Sequence, residues 1–269
     1  MRKPIRLFLA LILIGALAIS FPCPTLGSQE EAPLTAKEIA EKQQEKQFPK
    51  NSVINMTMTL INKRGQKRVR KLFIKRRDFG GGETKAISVF LSPADVKGTS
   101  VLQWEHKDKP NDIFLYLPAL KKIRRIASEQ KQQSFMGSDF SYADFEADTI
   151  EDADHKILSE NETCDGQACW MIESIPKPSS DSEYSKLIAW VIKENYIPDK
   201  VEFYNKSNKL FKKLKILKTG PVGDDILPLH FLMENVIKDH KTEIVLDEIL
   251  LKQDIPESAF THRAMERQQ

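Results

Sequence analysis

A hydrophobic period of two restricts this chain to an antiparallel β architecture. Ile54, Met56, Met58 and Leu60 alternate with polar residues, a pattern typical of a strand with one buried and one solvated face. Further short strand-like segments follow up to residue 251, and turn-length segments rather than long helices separate them. Regular spacing of this kind predicts one antiparallel sheet, curled or folded over. We therefore expect a mainly β protein with about 10–11 strands.

The first 27 residues predict a cleavable export signal. Three basic residues precede an unbroken apolar run over residues 7–21, which is shorter than the roughly 20 residues that a membrane span needs. Small and polar residues follow, so we expect cleavage after Gly27 or the next residue. Cys23 raises the alternative of a lipoprotein signal, and retention as an uncleaved anchor is another. The prediction is a single exported domain over residues 28–269.

Removal of the signal changes the charge balance. The whole chain has 41 basic and 38 acidic residues, and the three basic residues of the signal leave 38 of each sign. Residues 63–77 contain nine basic residues, but an exported protein of zero net charge is not expected to bind nucleic acid. This stretch is either a solvated strand face or a contact for anionic headgroups or an acidic partner.

Two cysteines remain after signal removal. Cys164 and Cys169 flank Asp165-Gly166, a dipeptide typical of a hairpin turn. In an oxidising compartment, two cysteines across such a turn can form a disulfide. A metal site is the alternative, although no second cysteine pair is present and His155 is the one histidine nearby.

An unusual loop follows the apolar strand predicted at Ile113–Leu117. It contains the turn signal Gly137-Ser138-Asp139, and large apolar side chains surround that turn. These side chains are Phe135, Met136, Phe140, Tyr142 and Phe145. Connecting loops normally avoid so much apolar surface, because they run over the exterior of a protein. The loop therefore either packs on an ordinary core or covers a cavity for an apolar ligand.

The sequence contains no recognisable catalytic motif. Its five histidines are scattered without metal-ligand spacing. It has no nucleophile elbow, Walker loop or dinucleotide-binding fingerprint. We therefore expect a protein that is not an enzyme and that needs no metal or cofactor.

Three segments resemble the LolA-like outer membrane lipoprotein-sorting proteins. They are residues 90–98, residues 115–125 and the run Ser-Phe-Met-Gly-Ser-Asp-Phe at 134–140, which is the most specific. The resemblance covers essentially the whole mature chain. It implies a strongly curved antiparallel sheet that forms an incomplete, half-open β-barrel, with short helices covering the open side. It also implies a hydrophobic cavity for the acyl chains of a lipoprotein or lipid, which the protein transfers toward the outer membrane.

Several site residues and partners follow from this resemblance. LolA has an arginine inside its hollow; none is matched to that position here, although Arg124 and Arg125 border the loop. The expected partners are lipoprotein or lipid cargo, a membrane exporter or outer-membrane acceptor, and transiently a membrane surface. The alternative function is a non-carrier accessory subunit of a resistance–nodulation–division type exporter or envelope complex. The candidate cavity residues are Ile54, Met56, Met58, Leu60, Trp104, Leu115, Leu117, Phe135, Met136, Phe140 and Tyr142.

Overall fold

A single antiparallel sheet of 13 strands dominates the structure, a computed structural model that describes residues 33–46, 49–146, 150–180 and 182–267. The strands are β1 (Ser52–Ile61), β2 (Lys67–Gly80), β3 (Glu83–Ser92), β4 (Ser100–Glu105), β5 (Asp112–Leu117), β6 (Lys122–Ile126), β7 (Ala153–Cys164), β8 (Gln167–Pro176), β9 (Tyr184–Ile192), β10 (Pro198–Asn205), β11 (Leu210–Val222), β12 (Asp225–Asn235) and β13 (His240–Leu250). The α-helices are α1 (Ala36–Glu45) and α2 (His262–Glu266). Leu34–Gln269 forms one compact unit, and the predicted signal segment lies outside the described residues.

The predicted count of 10–11 strands was too low. A strand that the count misses is β6, whose sequence Lys-Ile-Arg-Arg-Ile is largely charged. It lies at one edge of the sheet, where exposed charged side chains are usual because they deter pairing with other chains. Its charges therefore indicate an edge position and not the absence of a strand.

The connection between β6 and β7 joins the two opposite edges of the sheet. The order is β6-β5-β4-β3-β2-β1-β13-β12-β11-β10-β9-β8-β7. Every neighbouring pair is consecutive in sequence except β1 with β13, which join two halves of the sheet. The segment between β6 and β7, residues 127–152, therefore connects one edge with the other. We call it the crossing segment.

The two faces of the sheet carry separate hydrophobic clusters. The inner face bears Ile54, Met56 and Met58, together with aromatic residues of the crossing segment. On β1 the predicted alternation is confirmed, since every second residue from Ser52 to Leu60 is buried. The outer face of β3 and β4 is covered by the C-terminal residues 255–265, so α2 lies on the face opposite to the crossing segment.

The spacing of Thr35 and Glu38 in the sequence predicts a capping box at a helix start, and helix α1 begins there. Thr35 is its N-cap, and Thr35 and Glu38 form a reciprocal capping box. Its buried residue Ile39 packs against Ile172 on β8 and Val191 on β9. Ala189 on β9 packs against both this group and the inner-face cluster. Of the two described α-helices, α1 therefore lies over the inner face. None of the described helices is both long and apolar enough to cross a membrane.

The predicted disulfide is confirmed. Cys164 and Cys169 are bonded across the β7–β8 turn, with Cα atoms 6.1 Å apart, a separation within the usual range for disulfides. Asp165 and Gly166 both have positive φ in this turn, as the Asp-Gly signal indicates. The bridge ties the tip of the hairpin that forms one edge of the sheet.

Candidate functional site

The structure brings together ten of the eleven candidate cavity residues. Eight are buried in the inner-face cluster, and Leu117 and Met136 are partly buried against it. Trp104 is separate from them, because Val101 and Gln103 of β4 point inward whereas Leu102 and Trp104 point outward. The indole of Trp104 stacks on His262, with ring centroids 5.6 Å apart, and its Nε1 donates to the carbonyl of Phe260 at 3.1 Å.

The crossing segment occupies the inner face with its own aromatic rings. The ring of Phe135 lies 6.0 Å from that of Phe90 on β3 and 4.7 Å from that of Phe145. The ring of Phe140 lies 6.2 Å from that of Phe231 on β12. Beneath these rings the inner-face side chains Ile54, Met56 and Met58 are at most 1% exposed.

Little free space remains beneath Phe135 of the crossing segment. A void of about 20 Å³ lies between the β1–β3 side chains and Phe135, which is enough for about one water molecule. Beneath Phe135 and Phe145, then, side chains fill most of the expected hydrophobic hollow. In this conformation the aromatic rings of the crossing segment lie on the apolar side chains of the inner face.

Arg70 is an inward-facing arginine that the sequence analysis did not identify. It stands opposite Met58 in the β1–β2 pairing, is 8% exposed, and donates from Nη1 to the carbonyl of Met136. Its guanidinium also lies 5.9 Å from the ring of Phe90. Burial lowers the pKa of this guanidinium. Arg70 thus fixes the crossing segment at the residue that has a left-handed φ of 51°.

The two arginines named from the sequence lie elsewhere. Arg124 pairs with Leu115, so it shares the inner face, but at the exposed edge strand. Arg125 points the other way, and its Nη2 contacts Asp112 Oδ1 at 2.5 Å. Neither side chain is buried in the inner-face cluster.

A second contact holds the tip of the crossing segment on β13. The buried carboxylate of Asp139 accepts from Thr242 Oγ1 at 2.7 Å and lies 2.7 Å from Nδ1 of His240. The backbone N–H of Asp139 donates to the same Thr242 Oγ1 at 2.9 Å. A carboxylate with several such bonds is well compensated for its burial.

A third contact lies on β9 and β11. The ammonium of Lys212, 4% exposed, contacts Asp144 Oδ2 at 3.3 Å, Glu183 Oε1 at 3.1 Å and the hydroxyl of Tyr184 at 2.8 Å. That hydroxyl donates to Asp144 Oδ1 at 2.8 Å. Burial, and after it the two carboxylates, raises the pKa of Tyr184 well above its usual value. This buried ionic cluster ties residue 144 of the crossing segment to the half of the sheet that contains β7.

Glu146, near the third contact, makes the stability of the folded protein depend on pH. Its carboxylate lies 2.8 Å from Lys131 Nζ, and burial raises its pKa despite this cation. A carboxyl whose pKa is higher in the folded state contributes stability that is complete below its unfolded pKa and lost as the pH rises through the folded value. We expect Glu146→Gln to gain stability relative to the unmutated protein between pH 4 and pH 7.

Urea unfolding at pH 4 and pH 7 tests this expectation. The quantity to compare is the difference in unfolding free energy between variant and unmutated protein at each pH. Glu257→Gln is a suitable control, because the pKa of the exposed Glu257 is lowered by its hydrogen bond to Lys85 and its pH effect should have the opposite sign. If Glu146→Gln lost stability relative to the unmutated protein on going from pH 4 to pH 7, this would contradict the raised pKa of Glu146.

The described residues contain no group of three or more His, Cys, Asp or Glu side chains placed to hold a metal ion. The polar contacts described above instead connect the crossing segment with β2, β9, β11 and β13. These contacts hold the crossing segment over the apolar inner face. The charged groups lie around that face, and the aromatic rings lie on it.

Comparison with known proteins gives several matches to solved structures. A candidate outer membrane lipoprotein-sorting protein domain from Vibrio parahaemolyticus is 30% identical, with a TM-score of 0.80, over 86% of this chain and 98% of its own. A DUF1329 family protein from Desulfovibrio piger is 26% identical, with a TM-score of 0.81, over 86% and 97%. A LolA superfamily protein from Nitrosomonas europaea is 22% identical, with a TM-score of 0.69, over 86% and 100%, and shows a similar fold. A family model described as that of an uncharacterized protein matches residues 82–267. No curated protein matches the chain.

Proposed function

Since the chain belongs to the LolA-like family of outer membrane lipoprotein-sorting proteins, we propose that it is a periplasmic carrier of lipidated cargo. The mature domain, residues 28–269 after removal of the signal, binds the acyl chains of a lipoprotein or lipid on its inner face. It transfers them toward the outer membrane without catalysing a reaction. Of the ten candidate residues that meet on that face, those on the strands contact the acyl chain, and Arg70 joins them. The others, Phe135, Met136, Phe140 and Tyr142, belong to the crossing segment and cover the face while it is empty.

One observation carries this proposal: a connecting segment, rather than a packed element of regular structure, covers the apolar inner face. Its polar anchors are side-chain contacts at Arg70, Thr242 and Lys212. None of these is a strand pairing, so the crossing segment can leave the face while the sheet stays intact. An acyl chain can then occupy the place of the aromatic rings.

The free energy lost when the crossing segment leaves the inner face is similar in size to the free energy gained when an acyl chain binds there. Loss of a buried phenylalanine side chain costs about 3–5 kcal/mol, so removing Phe135 and Phe140 from the face costs roughly twice that. Burial of about twelve CH₂ groups returns roughly 10 kcal/mol at about 0.8 kcal/mol each. Cargo and crossing segment are therefore matched competitors for the face, as reversible carriage requires.

Contacts of the crossing segment support a curved sheet. Strands β3 and β9 are seven positions apart in the sheet, or roughly 34 Å in a flat sheet with strands about 4.8 Å apart. Yet Phe135 contacts Phe90 on β3, and Asp144 accepts from Tyr184 on β9. The rings of Phe135 and Phe145 are only 4.7 Å apart, so the segment between them is folded. A sheet bent toward the crossing segment accounts for these contacts, although its 13 strands are neither closed nor strongly curled, contrary to the expected half-open barrel.

Photolabelling with an acyl probe tests the proposal. The chain is expressed for export and purified from the periplasm, and mass spectrometry determines its mature N-terminus. It is illuminated with a sixteen-carbon acyl probe that bears a diazirine at the chain end. We expect saturable labelling of Met56, Met58 and Phe231, and competition by unlabelled lipid. Trp104 and Phe260 on the outer face are the internal control.

Absence of labelling, or labelling confined to the outer face, would overturn the carrier function. Native mass spectrometry of the same preparation separates the alternative. A protein that neither retains an amphiphile from the cell nor accepts the probe would instead fit an accessory subunit of an exporter or envelope complex.

A further inference from the structure

One end of the sheet is strongly basic. Because the strands are antiparallel, alternate turns lie at the same end, and five turns between β6 and β10 share one end. These are residues 118–121, 93–99, 62–66, 236–239 and 206–209, which we call the basic end. They contain seven basic and two acidic residues. The three turns between the same strands at the opposite end, residues 81–82, 106–111 and 223–224, contain two of each.

The charges of the basic end are largely unneutralised. Lys63, Arg64, Lys97, Lys121 and Lys238 are exposed, and among the described residues none of them forms an ion pair. The strand ends next to these turns extend the same charge with four more exposed residues. They are Lys67, Arg68, Lys71 and Lys122. Most ion pairs of the structure lie elsewhere, so this surface attracts anions.

Large apolar side chains are exposed at the tips of two of the same turns. Leu120 is 61% exposed in the β5–β6 turn, and Ile237 is 60% exposed beside Val236 in the β12–β13 turn. Tight turns are normally built from glycine and small polar residues. Within the described chain, the strongly exposed large apolar residues that lie in turns are these three. Apolar tips surrounded by free cations are typical of surfaces that insert into a headgroup layer.

We propose that the basic end docks on a bilayer with anionic headgroups, with Leu120 and Ile237 inserted among the headgroups. This inference rests on the proposed carrier function for its setting and adds the surface at which cargo is exchanged. The β12–β13 turn directly precedes His240 and Thr242, which hold Asp139 at the tip of the crossing segment. Docking therefore places the bilayer beside the contact that must open for an acyl chain to enter.

Vesicle co-sedimentation tests the electrostatic part. The exported protein is mixed with vesicles of phosphatidylcholine containing 30% phosphatidylglycerol, or of phosphatidylcholine alone. The test variant is Lys63→Gln/Arg64→Gln/Lys121→Gln, and its matched control at the opposite end is Lys107→Gln/Lys109→Gln/Lys193→Gln. Each basic residue near such a surface is worth about fivefold in affinity. We expect at least a thirtyfold loss in the test variant, less than threefold in the control, and weakening of unmutated binding by salt.

Substitution of the apolar tips tests insertion. Leu120→Ser/Ile237→Ser should lower affinity for the anionic vesicles about tenfold. Leu217→Ser/Leu250→Ser, which removes two exposed leucines away from the basic end, should leave it unchanged. Equal losses in test and control variants, or equal binding to neutral vesicles, overturn the proposal. Failure to bind anionic vesicles also overturns it and points to an acidic protein partner.

The photolabelling experiment separates this inference from the carrier function. In solution without vesicles, the basic-end variant should be labelled by the acyl probe as strongly as the unmutated protein. Vesicle binding without acyl labelling would refute the carrier and retain the docking surface. Acyl labelling without vesicle binding would support the carrier function and refute the docking surface.

Discussion

Truncation of Phe135 and Phe140 to alanine should raise the affinity of the inner face for an acyl probe at least tenfold. A ligand that binds only the open form has its apparent affinity reduced by the fraction of protein that is open. The two rings hold the closed form through contacts with Phe90 and Phe231. Their removal weakens closure by several kcal/mol without removing any strand pairing. Fluorescence titration with a labelled acyl lipid measures the change.

A buried phenylalanine on the other face is the matched control. Phe260 is 1% exposed and packs on the outer face of β3 and β4. Phe260→Ala should destabilise the protein by a comparable amount, but it should leave acyl affinity unchanged. If all three truncations alter affinity alike, or if the double variant binds more weakly, the crossing segment does not compete with cargo.

Lys212→Met should destabilise the protein by about 3–5 kcal/mol. The substitution leaves the carboxylates of Asp144 and Glu183 near each other without their shared cation, and removal of one partner from a buried ionic cluster typically costs this much. We expect the loss to appear in urea unfolding at pH 7.

The triple variant Lys212→Met/Asp144→Asn/Glu183→Gln separates charge from packing. It removes the whole ionic cluster while nearly preserving side-chain volume, so it should recover most of the lost stability. A cost of less than about 1 kcal/mol for Lys212→Met alone would show that the cluster is weakly coupled to folding. Unchanged stability loss in the triple variant would show that the aliphatic stem of Lys212, rather than its charge, is responsible.

Local features of the fold could be predicted from the sequence. The alternation on β1, the capping box at Thr35 and the hairpin at Asp165-Gly166 depend on residues close together in the chain. Their physical causes act within a few residues, and the structure confirms all three. The unusual composition of the loop around Gly137 likewise indicated contact with an apolar surface.

Features set by strand register could not be predicted in the same way. Arg70 is one of nine basic residues in its stretch, and only its pairing with Met58 places it on the inner face. Trp104 is also among the predicted cavity residues, but the register of β4 directs it outward. The closure of the inner face depends on the strand order, because the crossing segment must connect β6 with β7 at opposite edges.

The pairing of β1 with β13 also has a consequence for how the chain folds. All other neighbouring strands are adjacent in sequence and can form as successive hairpins, whereas Val53 meets Leu250 across nearly the whole domain. Such a distant contact closes slowly because of the chain entropy it costs. Until β13 arrives, the methionine-bearing strand β1 has one unsatisfied backbone edge. The nascent chain therefore keeps an unpaired strand edge until β13 reaches it, and this edge can pair with other chains during that interval.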